Sequence, residues 1–241
     1  MNPLTLADAK KIFSKIKQLS TETPGRLIIC PPFPYIYALA SSYKGKKISF
    51  GAQDAFWQNN GSNTGFVGPT MVKSAGAEYL ILGHSEHREL TGETKEVISK
   101  KVLAAVQAEL TVILCVGEKV RDRNAEYLNV VKEDLKECLR RIDKRMMSRV
   151  MIAYEPVWAV GGRDSMIPAD IHGMTIYIRK VLTEMYDKQI SDATQIVYGG
   201  SINLDNVADI VKDGEVDGLL VGRDSLIAEN IMQIVAVANG K

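Results

Sequence analysis

Short runs of consecutive apolar residues alternate along the chain with longer stretches in which apolar residues return every three or four positions. The first pattern marks buried strands and the second amphipathic helices. Leu27-Ile28-Ile29-Cys30, Ile48-Ser49-Phe50-Gly51-Ala52, Tyr79-Leu80-Ile81-Leu82 and the apolar run 111–116 read as strands. So do Arg149-Val150-Met151-Ile152, Gln195-Ile196-Val197-Tyr198 and Gly218-Leu219-Leu220-Val221. Between them, helical spacing is predicted over about 35–42, after Pro69, over 94–108 and 124–141, from Pro168 to about Tyr186, over 203–211 and at the end of the chain. The first element is also a helix, because Leu6, Ala9, Ile12, Phe13, Ile16 and Leu19 follow a capping signal at Thr5.

Seven strands and eight helices in strict alternation, with strands apolar on both faces, demand a parallel sheet covered by helices. An open doubly wound sheet could hold seven strands. Here, however, polar or glycine-rich residues follow strand after strand, as though every strand exit faced one ring. That is the layout of an α/β barrel, and 241 residues suit one such domain spanning 1–241. Between the second strand and Pro69, the loop 53–68 is longer than the usual βα connection and carries Phe56, Trp57 and Phe66.

Composition narrows the partners. A formal charge of +1 gives no general reason to expect nucleic acid or an anionic membrane, so any anion site must be local. No apolar run is long enough to cross a bilayer. Cys30, Cys115 and Cys138 form no metal spacing, and the three histidines provide no pair at ligand spacing, so a catalytic metal is not expected. Reduced, buried thiols suggest the cytoplasm.

Four strand exits carry chemistry. Glu155 follows the apolar run 149–152 and precedes Pro156 and Trp158, and burial there raises a carboxyl toward a useful general base. His84 stands at a helix start, where a neutral ring could polarise a carbonyl; its plain reading is a helix cap. His87 and His172 read as ordinary helix residues. Tyr198-Gly199-Gly200-Ser201 and Val221-Gly222-Arg223 expose backbone N–H groups before a helix, an arrangement suited to a phosphate.

Gly83-His84-Ser85-Glu86-His87-Arg88, Ala153-Tyr154-Glu155-Pro156-Val157-Trp158-Ala159 and Tyr198-Gly199-Gly200-Ser201, in this order and spacing, resemble the triosephosphate isomerase family. Cys115-Val116-Gly117-Glu118 and Asn63-Thr64-Gly65 extend the similarity along the chain. The resemblance implies a (β/α)8-type barrel that interconverts dihydroxyacetone phosphate and glyceraldehyde 3-phosphate through an enediolate, without a cofactor. In the roles known for this family, Glu155 is the base and His84 the neutral electrophile. Gly161, Ser201 and Gly222 supply phosphate-binding amides, Ser85 and Glu86 support the site, and the loop 53–68 joins two copies as a homodimer.

The chain departs from the family in three places. The segment after Trp158-Ala159 reads Val160-Gly161-Gly162-Arg163-Asp164-Ser165-Met166, where the family has Ile-Gly-Thr-Gly-Lys-Thr-Ala. Arg223 replaces a second glycine, either adding a cation near the phosphate or facing solvent, the orientation favoured here. At the front, Met1-Asn2 matches the tail of a family strand ending Asn-x-Lys-Met-Asn, so the first strand and its active-site lysine are not present in this sequence. The expectations are a seam between the last and first strands, impaired activity and, as the alternative to catalysis, a phosphate-binding or structural homodimer of the same family.

Overall fold

All seven expected strands form in the computed structural model, which describes residues 1–21, 23, 25–59, 61–159 and 165–240. In chain order the elements begin α1 (Leu6–Ser20), β1 (Leu27–Ile29), α2 (Phe33–Ala40), β2 (Ile48–Ala52), α3 (Pro69–Ser74) and β3 (Tyr79–Leu82). They continue with α4 (Ser85–Thr91), α5 (Lys95–Gln107), β4 (Thr111–Val116), α6 (Glu126–Leu139), β5 (Val150–Tyr154) and α7 (Pro168–Met185). The last five are α8 (Lys188–Ala193), β6 (Ile196–Tyr198), α9 (Val207–Asp213), β7 (Gly218–Leu219) and α10 (Ala228–Asn239). Two short helices, α4 and α8, add to the eight expected from periodicity. Each is fixed by its cap: His84 accepts from the Glu86 amide, and Asp187 accepts from the Ile190 amide at 2.8 Å. Six or seven residues are too few for a 3.6-residue period to show.

The strands pair in sequence order, all parallel, as one curled sheet of the barrel type. Their side chains alternate between two apolar layers. Cys30, Ile81, Ile113, Cys115, Ala153 and Val197 face the concave side. Leu80, Leu82, Val112, Leu114, Ile152 and Ile196 face the helices, in a layer shared with Ile98, Val102, Leu135 and Ile178. This phase places the site. Glu155 continues the inward series Met151, Ala153, and the neighbouring strands end in the same phase on Gly83, Gly117 and Gly199. One carboxylate therefore projects where its neighbours contribute no side chain.

The expected seam is present: among the described residues no ladder joins β7 to β1, and β7 is only two residues long. It is closed from outside by helices. Ala9, Phe13 and Ile16 of α1 meet Ile231 and Met232 of α10 over Ile29, Ile48 and Phe50, with Val221 packed against them. At the carboxyl end of the seam, the Gln53 amide donates to the carbonyls of Met1 and Cys30 at 3.1 and 3.0 Å. No described helix is long and apolar enough to cross a membrane.

Candidate active site

Glu155 emerges from β5 held on both sides by the sheet: its N–H donates to the Val116 carbonyl, and the Gly199 N–H donates to the Tyr154 carbonyl, each at 2.8 Å. The glycines allow this closeness. A Cβ on Gly199 would stand 2.9 Å from Glu155 Cγ. The Glu155 side chain is 2 % exposed, and burial pushes its carboxyl above the ordinary value, opposed by His84, the Ser85 amide and Cys115.

His84 and Ser85 reach the carboxylate from the start of α4. The Ser85 N–H donates to Glu155 Oε2 at 3.3 Å, and His84 Nε2 lies 3.1 Å from Oε1. That ring N–H is not directed at Oε1, which accepts no hydrogen bond although it is buried. On the other edge of the ring, Nδ1 accepts from the Glu86 amide at 3.3 Å, so Nε2 carries the ring proton. A buried carboxylate oxygen without a donor, beside an N–H not committed to it, is an arrangement with capacity left for a reacting molecule. Glu86 contributes through its backbone, since its side chain is exposed. A cavity of about 530 Å³ borders Glu155 on the β3–β4 side, with Gly83, Ser85, Cys115 and Val157 in its wall.

The glycine-bearing exits of β6 and β7 lie on the same end of the sheet. Ser201 is half-buried, and its carbonyl accepts from the Asn206 side chain at 2.9 Å. Gly222 is exposed, and Arg223 beside it is exposed as well. None of these three lines the cavity beside Glu155. Gly161 falls outside the described residues. The structure thus brings Glu155, His84 and Ser85 into contact and leaves Ser201, Gly222 and Arg223 on a separate stretch of the rim.

Sequence reading passed over the groups that hold this arrangement. Glu118 is fully buried and accepts from Tyr154 Oη at 3.0 Å and from Trp158 Nε1 at 3.0 Å, with Arg121 Nη1 3.8 Å away. It thereby ties down the residue before Glu155 and one three residues after it. Arg88 donates to the carbonyls of Gly83 and Cys115 at 2.7 and 2.8 Å and locks two strand exits together. The resemblance pointed to Glu118 without a role; nothing in the spacing distinguishes Arg88 from a solvated arginine.

Folding also assembles a charged cluster that the sequence did not reveal. Asp54, His87 and Glu93 bring donor atoms within 4.8 Å of one another. The buried Lys101 ammonium already binds Asp54 at 2.7 Å and pairs with Glu93, so the cluster holds its own cation. His87 is part of it, with Nε2 3.2 Å from Asp54, and so is more than a plain helix residue. The three thiols are buried, and desolvation raises Cys30 to about 11 and Cys138 to about 12.

Comparison with known proteins supplies a family for the chain. The family model described as triosephosphate isomerase matches residues 1–238. The chain is similar to the triosephosphate isomerase of Caldanaerobacter subterraneus subsp. tengcongensis, with 36 % identity over 96 % of this chain and 94 % of the relative. It is also similar to that of Roseiflexus sp., with 40 % identity over 87 % and 83 % of the two chains, and to that of Moorella thermoacetica, with 38 % over 96 % and 93 %.

Proposed function

Because the chain belongs to the triosephosphate isomerase family, we propose that this site interconverts dihydroxyacetone phosphate and D-glyceraldehyde 3-phosphate by proton transfer. The Glu155 carboxylate removes a proton from the carbon next to the substrate carbonyl, and the electron pair moves onto the carbonyl oxygen to give an enediolate. The His84 Nε2–H stabilises and then protonates that oxygen while the other oxygen gives up its proton through the same ring. Glu155 returns its proton to the adjacent carbon. No electrons leave the substrate, so no cofactor is needed. The observation that carries the reading is the buried Glu155 Oε1, without a hydrogen bond and 3.1 Å from His84 Nε2. A base so desolvated binds a proton more readily than an exposed carboxylate, and its charge acts at short range in a poorly screened site.

The phosphate of the substrate goes to the exits of β6 and β7, on the amides of Ser201 and Gly222, with Gly161 as the third donor and the exposed Arg223 beside them. Ser85 supports the base through its amide and Glu86 supports the histidine through its own. Phe56, Trp57 and Phe66 stack at centroid distances of 4.0 and 4.3 Å on the loop 53–68, and Phe66 is exposed, which favours a homodimer through that loop. Buried thiols fit a reducing cytoplasm.

The decisive experiment follows isomerisation in deuterated water by NMR. Deuterium at the carbon next to the carbonyl, lost in Glu155→Gln, is the expected result. The alternative, a family member that only binds phosphorylated trioses, would bind dihydroxyacetone phosphate without exchange.

A further inference from the structure

The nearly neutral charge of the chain averages two unlike regions. Eight of its 30 basic side chains and only two of its 29 acidic ones lie in the first 52 residues. Folding does not mix them. Tyr43 packs edge-on against Phe13 at 6.1 Å, and the Lys47 ammonium crosses to the carbonyls of Ser20, Thr21 and Thr23 at the end of α1. The Leu27 N–H donates to the Lys47 carbonyl, which sets Arg26 beside Lys47 at the amino ends of β1 and β2. Lys17, Arg26, Lys44 and Lys46 therefore share one corner of the molecule, and Lys10 and Lys11 continue the charge along α1, a helix about 22 Å long.

All six are exposed, and among the described residues none forms an ion pair. The described acids nearby are committed or displaced. Asp8 is hydrogen-bonded at the α1 cap, Glu229 of α10 pairs with Lys15, and Glu78 stands a strand further on. This corner is at the amino ends of the strands, opposite the exits that carry Glu155 and His84, so a partner here leaves the site open. The apolar side of α1 is buried in the core, which removes the hydrophobic face that a helix needs to enter a lipid surface.

We propose that this basic corner binds the phosphate backbone of a nucleic acid without reading its sequence. A row of unpaired Lys and Arg along a rigid helix and two adjoining loops matches the spaced, uniform charge of such a backbone. With about four of the six cations engaged at once on a single strand, the logarithm of affinity falls with that of salt concentration at a slope of roughly −3. Binding weakens roughly sixtyfold between 50 and 200 mM salt on that slope.

The test measures fluorescence anisotropy of a labelled 20-nucleotide single strand with the whole chain. The Lys17→Glu, Lys44→Glu, Lys46→Glu variant is compared with Lys136→Glu, Lys180→Glu, Lys212→Glu, an exposed triple of equal charge change. A tenfold or greater loss in the first, less than threefold in the second, and unchanged circular dichroism in both support the proposal. Replacing the first three by Gln, with an intermediate loss, excludes misfolding as the cause. Equal losses in the two triples, or no binding by the unmodified chain at 50 mM salt, overturn it. Retention by phosphatidylserine vesicles without oligonucleotide binding also overturns it.

Discussion

A Cβ placed on Gly117 would lie 1.8 Å from the carbonyl oxygen of Glu155, so β4 and the exit of β5 can approach this closely only where residue 117 has no side chain. The contact is with backbone, which cannot swing aside as a flexible side chain can. Gly117→Ala should therefore displace the carboxylate of Glu155 while leaving its chemistry untouched. A displacement near 1 Å costs on the order of a hundredfold in rate when geometry is tight. Steady-state kinetics with saturating substrate would read a fall in kcat; an unchanged kcat would mean that the exit relaxes without moving the base.

Glu155 gives a prediction in stability as well as rate. Its carboxyl titrates above the ordinary value because burial disfavours the charge. In the window between the unfolded and folded pKa values the native state binds more protons than the unfolded one, so stability falls as pH rises through it and stays lower above. Glu155→Gln removes that penalty. It should abolish isomerisation yet raise the Tm at pH 7, with the advantage shrinking as the pH is lowered through the raised folded pKa toward the ordinary carboxylate value. A Tm difference that does not change with pH would count against desolvation as the cause. For the unmodified chain, kcat/KM should fall on the acid side with a midpoint above the ordinary Glu value.

Glu155→Asp tests placement alone, because it keeps the carboxylate and withdraws it by one methylene. A loss on the order of a hundredfold in kcat is expected. An unchanged kcat would mean that the reaction does not use this carboxylate as its base.

The aromatic stack in the loop 53–68 sets the assembly prediction. Its base is closed by the Phe56 N–H donating to the Val67 carbonyl at 2.8 Å, so the exposed Phe66 is presented on an ordered support. Sedimentation at micromolar concentration should show a dimer, and Phe66→Asp should yield monomer with its circular dichroism retained. A monomeric unmodified chain would end this reading.

At the seam, among the described residues, β1 and β7 each keep a ladder edge without a partner strand. Fusing a strand ending Asn-x-Lys ahead of Met1 should pair those edges and supply a cation at the mouth. Each buried backbone group that gains a partner is worth about 1 to 3 kcal/mol, and a Tm increase of at least about 4 °C is expected. The added electrostatic contact should raise the rate by about a hundred- to a thousandfold. If the unextended chain already matches the fused one in both measurements, the packing of α1 on α10 is sufficient closure.

Strand order, the place of Glu155 at a strand exit and the glycine-bearing exits of β6 and β7 were legible in the sequence because each rests on a local period or on glycine at a strand end. The short helix α4 was legible only as a start at His84, because its seven residues are too few for a helical period to show. Arg88 and Glu118 were not legible, because their roles come from partners 27 and 36 to 40 residues away, across strands that no local pattern relates. The cluster of Asp54, His87, Glu93 and Lys101 was hidden for the same reason: its members come from a loop, a helix, a turn and another helix.

The hydrogen bond from Trp158 to the buried Glu118 anchors one of the chain's two tryptophans three residues beyond Glu155, while the other, Trp57, sits in the loop 53–68. Replacing Trp57 by Phe would leave an intrinsic fluorophore whose emission depends on the charge and distance of Glu118. Its spectrum would then follow events beside Glu155 in real time, without an external label and without any change to the reacting groups.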